Sequence, residues 1–227
     1  FAALRVDGSV VTWGDASYGG DSSAVARQLD GTADVVRVFS TSTAFAALHD
    51  DGSVVAWGQA SRGGDMSAVA PLLDGTTEAV DVVDLASTDG AFAALRGDGS
   101  VVTWGHPPYG GDNSAVAADL DGTIDVVRIS TTSEAFAALR ADGSVVTWGS
   151  QVYGGDSSPV APLLDGTIGV VRVYASGGAF AALRTDGSLV IWGSSSYGGD
   201  GPVDPAQIDG TIDVVEVFSS ASAFAAL

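Results

Sequence analysis

Aspartate supplies most of the groups in this sequence that could do chemistry. Three aspartates recur at regular intervals, in Asp-Gly, Gly-Gly-Asp and Leu-Asp-Gly contexts, and they make up 15 of the 28 acidic residues. The positions are Asp7, Asp51, Asp98, Asp142 and Asp186; Asp21, Asp65, Asp112, Asp156 and Asp200; Asp30, Asp74, Asp121, Asp165 and Asp209. Calcium takes about six to eight oxygen ligands, but no loop has the closely spaced carboxylates that such a site needs. We expect these side chains to cap backbone N–H groups in turns, with no cofactor and with calcium as the alternative.

Histidine is the other candidate for acid–base chemistry. His49 ends a FAAL block at a position where sister blocks carry arginine, and His106 lies in a His-Pro-Pro loop. Neither stands in a serine or aspartate motif, and no Gly-x-Ser-x-Gly nucleophile elbow is present. All nine basic residues are arginine, so the chain has no lysine for a Schiff base, and it has no cysteine for a thiolate or zinc site. The sequence predicts a protein that is not an enzyme.

The charge of the chain excludes one class of partner. A formal net charge of −19 is incompatible with the basic surface that nucleic acids require, and it also disfavours anionic membranes. No apolar run approaches the ~18–20 residues that span a bilayer, so direct membrane insertion is not expected. The chain starts at Phe1, within a repeat, and we expect a longer polypeptide. A secreted or cell-surface location is favoured, with an organellar assembly as the alternative.

An internal repeat positions all of these residues. FAAL blocks begin at Phe1, Phe45, Phe92, Phe136, Phe180 and Phe224, and tryptophan recurs in the same register at Trp13, Trp57, Trp104, Trp148 and Trp192. The predicted units are 1–44, 45–91, 92–135, 136–179 and 180–223, with 224–227 as the first strand of a further unit. The second unit is longer by three residues, inserted between Gly75 and Phe92. Self-similarity at this period is typical of repeat architectures.

Each unit reads as a small antiparallel sheet. FAAL and SVVTW are β-prone and are joined by Asp-Gly, which predicts a hairpin with a tight primed turn. VVRV predicts a further strand at Val35–Val38, Val126–Ile129 and Val170–Val173, and SAVA predicts a weak fourth strand. Repeated four-stranded antiparallel units predict an all-β protein, a β-propeller whose tryptophans pack between blades. A β-solenoid is the alternative, and a closed ring and an open arc both remain possible.

The repeat also resembles a known family. The pattern A-x-x-DG-x-V-x-x-WG, followed by VV-x-I/V, is similar to the repeat of the regulator of chromosome condensation family, in a short 44-residue form found in bacterial and dinoflagellate proteins. The resemblance covers essentially the whole chain. It implies a propeller, commonly with seven blades, whereas this chain supplies five units. The family's exchange-factor activity on a small GTPase cannot be matched to residues of this sequence.

Comparison of the five units separates constant loops from variable ones. The Asp-Gly and Leu-Asp-Gly turns barely vary and should lie on one face of a blade, which we call the constant face. The Ser/Thr turn before FAAL and the loop after Trp-Gly vary and should lie on the opposite, variable face. Tyrosine and arginine are frequent interface anchors, so we expect protein contacts there. The candidate contact residues are Asp15, Tyr18, Gln59, Arg62, His106, Tyr109, Gln151, Tyr153, Ser195 and Tyr197.

These observations favour one class of function and leave two others open. The leading hypothesis is a non-enzymatic module for protein interaction or adhesion within a larger protein, with partners of unknown identity. One alternative is a structural or accessory subunit docked on a larger assembly, such as a membrane-bound photosynthetic one. The other is a regulator of a small GTPase or an inhibitor of an enzyme.

Overall fold

The chain folds as an all-β protein in which each repeat contributes one antiparallel sheet. The computed structural model describes residues 1–75, 81–201 and 205–227, without the side chain of residue 205. The three extra residues of the second repeat fall within 76–80, outside the described residues. The described residues form two compact units, each spanning several repeats, which we call unit 1 (Phe1–Asp112) and unit 2 (Asn113–Leu227). No helix among them has the length and apolar character needed to cross a membrane.

Strands and single-turn helices alternate along the chain. The strands are β1 (Ala2–Leu4), β2 (Val10–Thr12), β3 (Val35–Ser40), β4 (Ala44–His49), β5 (Val54–Gly58), β6 (Val82–Ser87), β7 (Ala91–Arg96), β8 (Val101–Gly105), β9 (Val126–Thr131), β10 (Ala135–Arg140), β11 (Val145–Gly149), β12 (Val170–Ala175), β13 (Ala179–Arg184), β14 (Leu189–Gly193), β15 (Val217–Ser219) and β16 (Phe224–Ala226). The described helices, all 3₁₀, are Ala16–Tyr18, Ser23–Val25, Ala60–Arg62, Ala70–Leu72, Pro107–Tyr109, Ser114–Asp119, Gln151–Tyr153, Ser158–Leu163, Ser195–Tyr197 and Pro205–Gln207.

The sheets keep the strand order that the sequence predicts. In unit 1 the sheets are β1-β2, β3-β4-β5 and β6-β7-β8, and in unit 2 they are β9-β10-β11, β12-β13-β14 and β15-β16. The VVRV, FAAL and SVVTW segments therefore pair in sequence order, with FAAL in the centre. We call each sheet, with its helices, a blade. Phe92, Phe136 and Phe180 of the central strands are fully buried, and each contributes about 1.5–3 kcal/mol through burial.

The hairpin turn differs from the predicted primed turn. The N–H of His49 donates to the Ser53 carbonyl, and the N–H of Gly52 donates to the His49 carbonyl, so the loop has three residues rather than two. Gly52 has φ +78°, while no described residue other than glycine has a positive φ. A three-residue loop that ends in a left-handed glycine is compatible with the twist of the strands, and it does not require a positive φ at the aspartate.

The predicted fourth strand is wrong. The SAVA segments form 3₁₀ helices, among them Ser23–Val25 and Ser158–Leu163, except in the second repeat, where a turn leads into the helix Ala70–Leu72. Each helix begins in an aspartate turn, as where Asp156 accepts a hydrogen bond from the N–H of Ser158. In place of a fourth strand, the segment after the helix makes a backbone hydrogen bond to the SVVTW strand, such as the one from the Val145 N–H to the Leu164 carbonyl at 2.9 Å. Side-chain capping competes with the ladder and wins at this position.

Neighbouring blades pack through the repeated tryptophan. In unit 1 the indole Nε1 of Trp57 donates to the Gly19 carbonyl of the preceding blade at 3.1 Å, and Trp104 donates to Gly63 at 3.0 Å. The first strands of neighbouring blades also meet, since the Ser87 hydroxyl donates to the Ser40 carbonyl at 2.8 Å. These contacts confirm, within unit 1, that the tryptophans pack between blades.

Candidate protein-contact face

Two turns meet at the constant face of each blade, as the sequence predicts. A Cβ placed on Gly31 would lie 2.7 Å from the Asp7 carbonyl oxygen, and one on Gly166 would lie 2.9 Å from that of Asp142. The Leu-Asp-Gly turn therefore sits directly against the Asp-Gly hairpin of its own blade. This close backbone contact explains why both turns vary so little between repeats.

The aspartates of the constant face serve the turns themselves. The Asp7 carboxylate accepts hydrogen bonds from the hydroxyl of Ser9 at 2.6 Å and from its N–H at 3.1 Å, and these bonds lower the pKa of Asp7. Thr32 donates to Asp30 in the same way, and again the pKa of the carboxyl is lowered. The expected capping role is confirmed at these positions. Within residues 1–75, 81–201 and 205–227, no three histidine or acidic side chains come together as a metal site.

A serine or threonine hydroxyl joins the two loops of the variable face. The turn before the central strand starts with this residue, whose oxygen accepts a hydrogen bond from the N–H three residues later. The same hydroxyl donates to a carbonyl of the helix that follows Trp-Gly. The pairs are Thr41 with Arg62 at 3.2 Å, Thr88 with Tyr109 at 2.9 Å, Thr132 with Tyr153 at 3.0 Å and Ser176 with Tyr197 at 2.9 Å. Sequence comparison missed these four hydroxyls, although a serine or threonine occupies the position in every repeat.

We call this serine or threonine, with its hydrogen bonds to both loops, the hydroxyl clamp. In unit 1 the hydroxyl clamp brings three of the candidate residues together. The guanidinium carbon of Arg62 lies 4.8 Å from the ring centroid of Tyr109, in cation–π geometry. The His106 ring lies 4.9 Å from the same tyrosine, tilted by 42°. A Cβ on Gly90 would collide with the Tyr109 ring and would lie 3.2 Å from Cδ of Arg62. The glycine therefore lets the tyrosine and the arginine lie flat against the turn.

Unit 2 repeats the arrangement with different side chains. The rings of Tyr153 and Tyr197 lie 5.7 Å apart at an interplanar angle of 45°. Both rings cover Gly178, where an added Cβ would lie 2.9 Å from Tyr153 and 2.7 Å from Tyr197. In each unit, therefore, the residue before one Gly-Gly packs against its counterpart in the next blade, Arg62 on Tyr109 in unit 1 and Tyr153 on Tyr197 in unit 2.

The remaining candidates lie on the same helices but outside these clusters. Asp15 caps its helix by accepting a hydrogen bond from the Ser17 N–H at 2.8 Å, and Tyr18 is 55% exposed. Gln59 is half-buried before the next helix, and Gln151 and Ser195 are exposed at the first positions of theirs. These side chains differ from blade to blade, while the backbone that carries them does not.

The two histidines have different surroundings. His49 is only 4% exposed; its Nε2 donates to the Gln28 carbonyl at 2.8 Å, and the Ser53 hydroxyl lies 3.1 Å from Nδ1. The Asp51 carboxylate accepts a hydrogen bond from the Ser53 N–H, so its direct hydrogen-bond contact is with the serine. Nδ1 of His106 is buried and has no hydrogen-bond partner among the described residues.

The buried His49 stands in for an arginine. In the sister blades of unit 2, Arg140 Nε donates to the Ser144 hydroxyl and Arg184 Nε to the Ser188 hydroxyl, both at 2.7 Å. Each serine hydroxyl in turn donates a hydrogen bond to the aspartate of the turn at 2.6 Å. His49 bonds to Ser53 at the same place, which confirms its assignment as a polar residue at the end of a strand.

Comparison with solved structures establishes the fold class. The ectodomain of the receptor kinase CR4 from Physcomitrella patens is 13% identical, with a TM-score of 0.54 over 97% of this chain and 53% of that one. Prp20p from Saccharomyces cerevisiae is 21% identical, with a TM-score of 0.58 over 100% of this chain and 62% of that one. The CRINKLY WD40 ectodomain of Arabidopsis thaliana ACR4 is 16% identical, with a TM-score of 0.51 over 86% of this chain and 67% of that one.

These structures are β-propellers, and the fold predicted from the repeats is confirmed. The chain spans about half to two thirds of the length of the structures that it resembles. No protein-family model matches the sequence, and no curated protein matches it significantly. Prp20 is the yeast RCC1 protein, so the similarity supports a propeller like those of the regulator of chromosome condensation family, while family membership stays a prediction.

Proposed function

We propose that the chain is a non-enzymatic propeller module that binds a protein partner through the variable faces of its blades. The observation that carries the proposal is the hydroxyl clamp, which holds the same turn in four blades while the exposed side chains change. Loops that carry function on a rigid scaffold have this organisation. On the constant face the turns barely vary, and their aspartate side chains accept hydrogen bonds from the turns that they cap.

The chemistry of the variable face suits a protein surface. Arg62 and Tyr109 are half-buried and already fixed by their mutual contact, so little side-chain entropy remains to be lost on binding. Residues of these types are common interface anchors.

Site-specific photocrosslinking in an extract of the source organism tests the proposal. A benzophenone side chain at Ala60 samples the variable face of unit 1, and one at Val6 samples the constant face. We expect a defined crosslinked protein from position 60 alone. The double variant Arg62→Ala/Tyr109→Ala should lose that product, whereas Arg5→Ala, a matched arginine on the constant face, should retain it. Equal capture from both positions, or capture unaffected by the double variant, would contradict the proposal.

A role as a regulator of a small GTPase is the second candidate. It is supported by the similarity to Prp20p, a protein described together with its binding properties to Gsp1p and histones. An assay of nucleotide release from Gsp1p separates the candidates, with Prp20p as the positive control. The interaction module should leave the release rate unchanged. Acceleration by this chain would favour the regulator. Identification of the crosslinked protein decides between an adhesion partner and a larger assembly in which the chain is an accessory subunit.

A further inference from the structure

The first strand of each three-stranded blade contains a β-bulge at the same position. In β9 the extra residue is Val127, because Val126 pairs with Arg140 and Arg128 pairs with Leu139. The corresponding extra residues of β3, β6 and β12 are Val36, Val83 and Val171. A bulge interrupts the alternation of side chains along a strand and re-aims them. These four valines are accordingly 45–54% exposed, and each is followed by a charged residue.

In unit 1 the charged residues after two of these bulges form an ion pair between neighbouring blades. Nη1 of Arg37 lies 2.8 Å from Oδ1 of Asp84, and both side chains are about half exposed. The guanidinium carbon of Arg37 also lies 4.6 Å from the ring centroid of Phe39, so stacking on an aromatic ring leaves the arginine able to bind a carboxylate. The first strands of neighbouring blades thus bring the residues after their bulges into contact.

Unit 2 carries two arginines where unit 1 carries this ion pair. Arg128 follows the bulge of β9, Arg172 follows the bulge of β12, and both side chains are exposed. The strands β9 and β12 are neighbours, because the Ser130 hydroxyl donates to the Val173 carbonyl at 2.9 Å. The position that holds opposite charges in unit 1 therefore holds two like charges in unit 2.

The two arginines have no acidic partner within residues 1–75, 81–201 and 205–227. The guanidinium carbon of Arg172 lies 4.9 Å from the ring centroid of Tyr174, as that of Arg37 does over Phe39. Glu216 takes the equivalent position in the following blade, but it forms no ion pair with Arg172. Guanidiniums on neighbouring strands repel each other, and a carboxylate that both can bind would remove that repulsion.

We propose that the bulges of unit 2 bind an acidic segment of a protein partner, with a glutamate or aspartate carboxylate between Arg128 and Arg172 and an apolar side chain against Val127 or Val171. Unit 1 supplies the carboxylate from its own Asp84, whereas unit 2 takes it from the partner. The net charge of −19 repels such a segment, but this repulsion is screened beyond about 8 Å at physiological salt, so the direct contacts decide the affinity. The inference does not depend on the variable face, because these residues lie on first strands.

Fluorescence anisotropy of the dye-labelled peptide Gly-Ser-Glu-Val-Glu-Gly-Ser tests the proposal at about 0.15 M salt. We expect this peptide to bind, and a counterpart with glutamine in place of glutamate to bind at least about fivefold more weakly, because it lacks the carboxylates. Free glutamate at the concentration of the peptide should not displace it, because the amino acid has no valine to contact the exposed valines of the bulges.

The decisive variants exchange the arrangements of the two units. Arg172→Asp gives unit 2 an internal carboxylate like that of unit 1 and should weaken binding of the glutamate peptide by more than about tenfold. Adding Asp84→Arg to this variant places two arginines in unit 1 and should restore binding. Arg27→Asp changes the net charge as Arg172→Asp does, at an exposed position elsewhere, and should bind like the wild type.

Circular dichroism of each variant establishes that it is folded before the titration. The proposal would be overturned if the wild type does not bind the glutamate peptide at millimolar concentration, or if it binds the glutamine peptide equally well. An equal loss of binding in Arg27→Asp would show that net charge alone acts and would also overturn it. Failure of the double variant to recover binding, or displacement of the peptide by free glutamate, would have the same consequence.

Discussion

The Thr88 hydroxyl oxygen lies 2.9 Å from the carbonyl oxygen of Tyr109 and 3.1 Å from the amide nitrogen of Ala91. One buried side chain thereby joins the turn before β7 to the helix after β8. Its counterparts in three other blades make the same two contacts, so the position of the variable helix does not depend on the residues that it displays. The residues that fix the backbone of the variable face are therefore different from the residues that this face exposes.

The first prediction concerns this clamp. Thr88→Val keeps the shape of the side chain but leaves the Tyr109 carbonyl and the Ala91 N–H without their partner. Because an unsatisfied buried polar group costs about 1–3 kcal/mol, we expect a loss of that size in the free energy of unfolding, measured by urea denaturation. Thr88→Ser retains the hydroxyl and should lose less. Equal losses in the two variants would show that the hydroxyl does not act as a clamp.

The second prediction compares two tryptophans at the same position of the repeat. Trp104→Phe removes a buried N–H donor and leaves the Gly63 carbonyl unpaired, so unfolding should become easier by about 1–3 kcal/mol. Trp13→Phe alters a half-exposed ring without a bonded nitrogen and should change the unfolding free energy by less than about 0.5 kcal/mol. Thermal and urea denaturation measure both.

The third prediction concerns acid sensitivity. Hydrogen bonds from the Ser188 hydroxyl and N–H lower the pKa of Asp186 in the folded protein. A lowered folded pKa contributes stability that is present above the unfolded pKa of about 3.9 and is lost as pH falls through the folded value. Stability should therefore decline below about pH 4. Asp186→Asn should be less stable at neutral pH and should lose less on acidification; parallel pH profiles of the two proteins would contradict this assignment.

The fourth prediction concerns the second blade. His49→Arg restores the residue of the sister blades, and a cleft of about 500 Å³ beside His49 has room for the longer side chain. The new guanidinium should donate to Ser53 as Arg184 does to Ser188. His49→Leu leaves the Gln28 carbonyl and the Ser53 hydroxyl without this partner. We expect the leucine variant to be less stable than the arginine variant by at least about 1 kcal/mol in urea denaturation.

The repeat spacing was enough to predict three strands per blade, their order and the burial of the tryptophans. Alternation of apolar residues and the recurring Asp-Gly carry that information locally. The fourth strand failed because SAVA has the composition of a strand edge, while the preceding aspartate caps a 3₁₀ turn, as Asp156 does at Ser158. Competition between a side-chain cap and a sheet ladder is decided by what lies beside the segment.

The contact residues were predicted only as a set of variable positions. Sequence comparison placed Arg62 and Tyr109 on the same kind of loop, one repeat apart, but their 4.8 Å stacking depends on how neighbouring blades meet. It also passed over Gly90, which permits that stacking because a Cβ there would collide with the tyrosine ring.

By itself, the sequence determined the class of fold, the periodic capping role of the aspartates and the absence of lysine and cysteine chemistry. Each of these follows from residue type and from spacing within one repeat. The tertiary structure alone decided which hydroxyls hold the variable loops, that His49 is buried against Gln28, and that the Trp57 indole bonds to Gly19 of the preceding blade. These features join residues about 20 to 40 positions apart, and their energies depend on desolvation and close packing that no local pattern records.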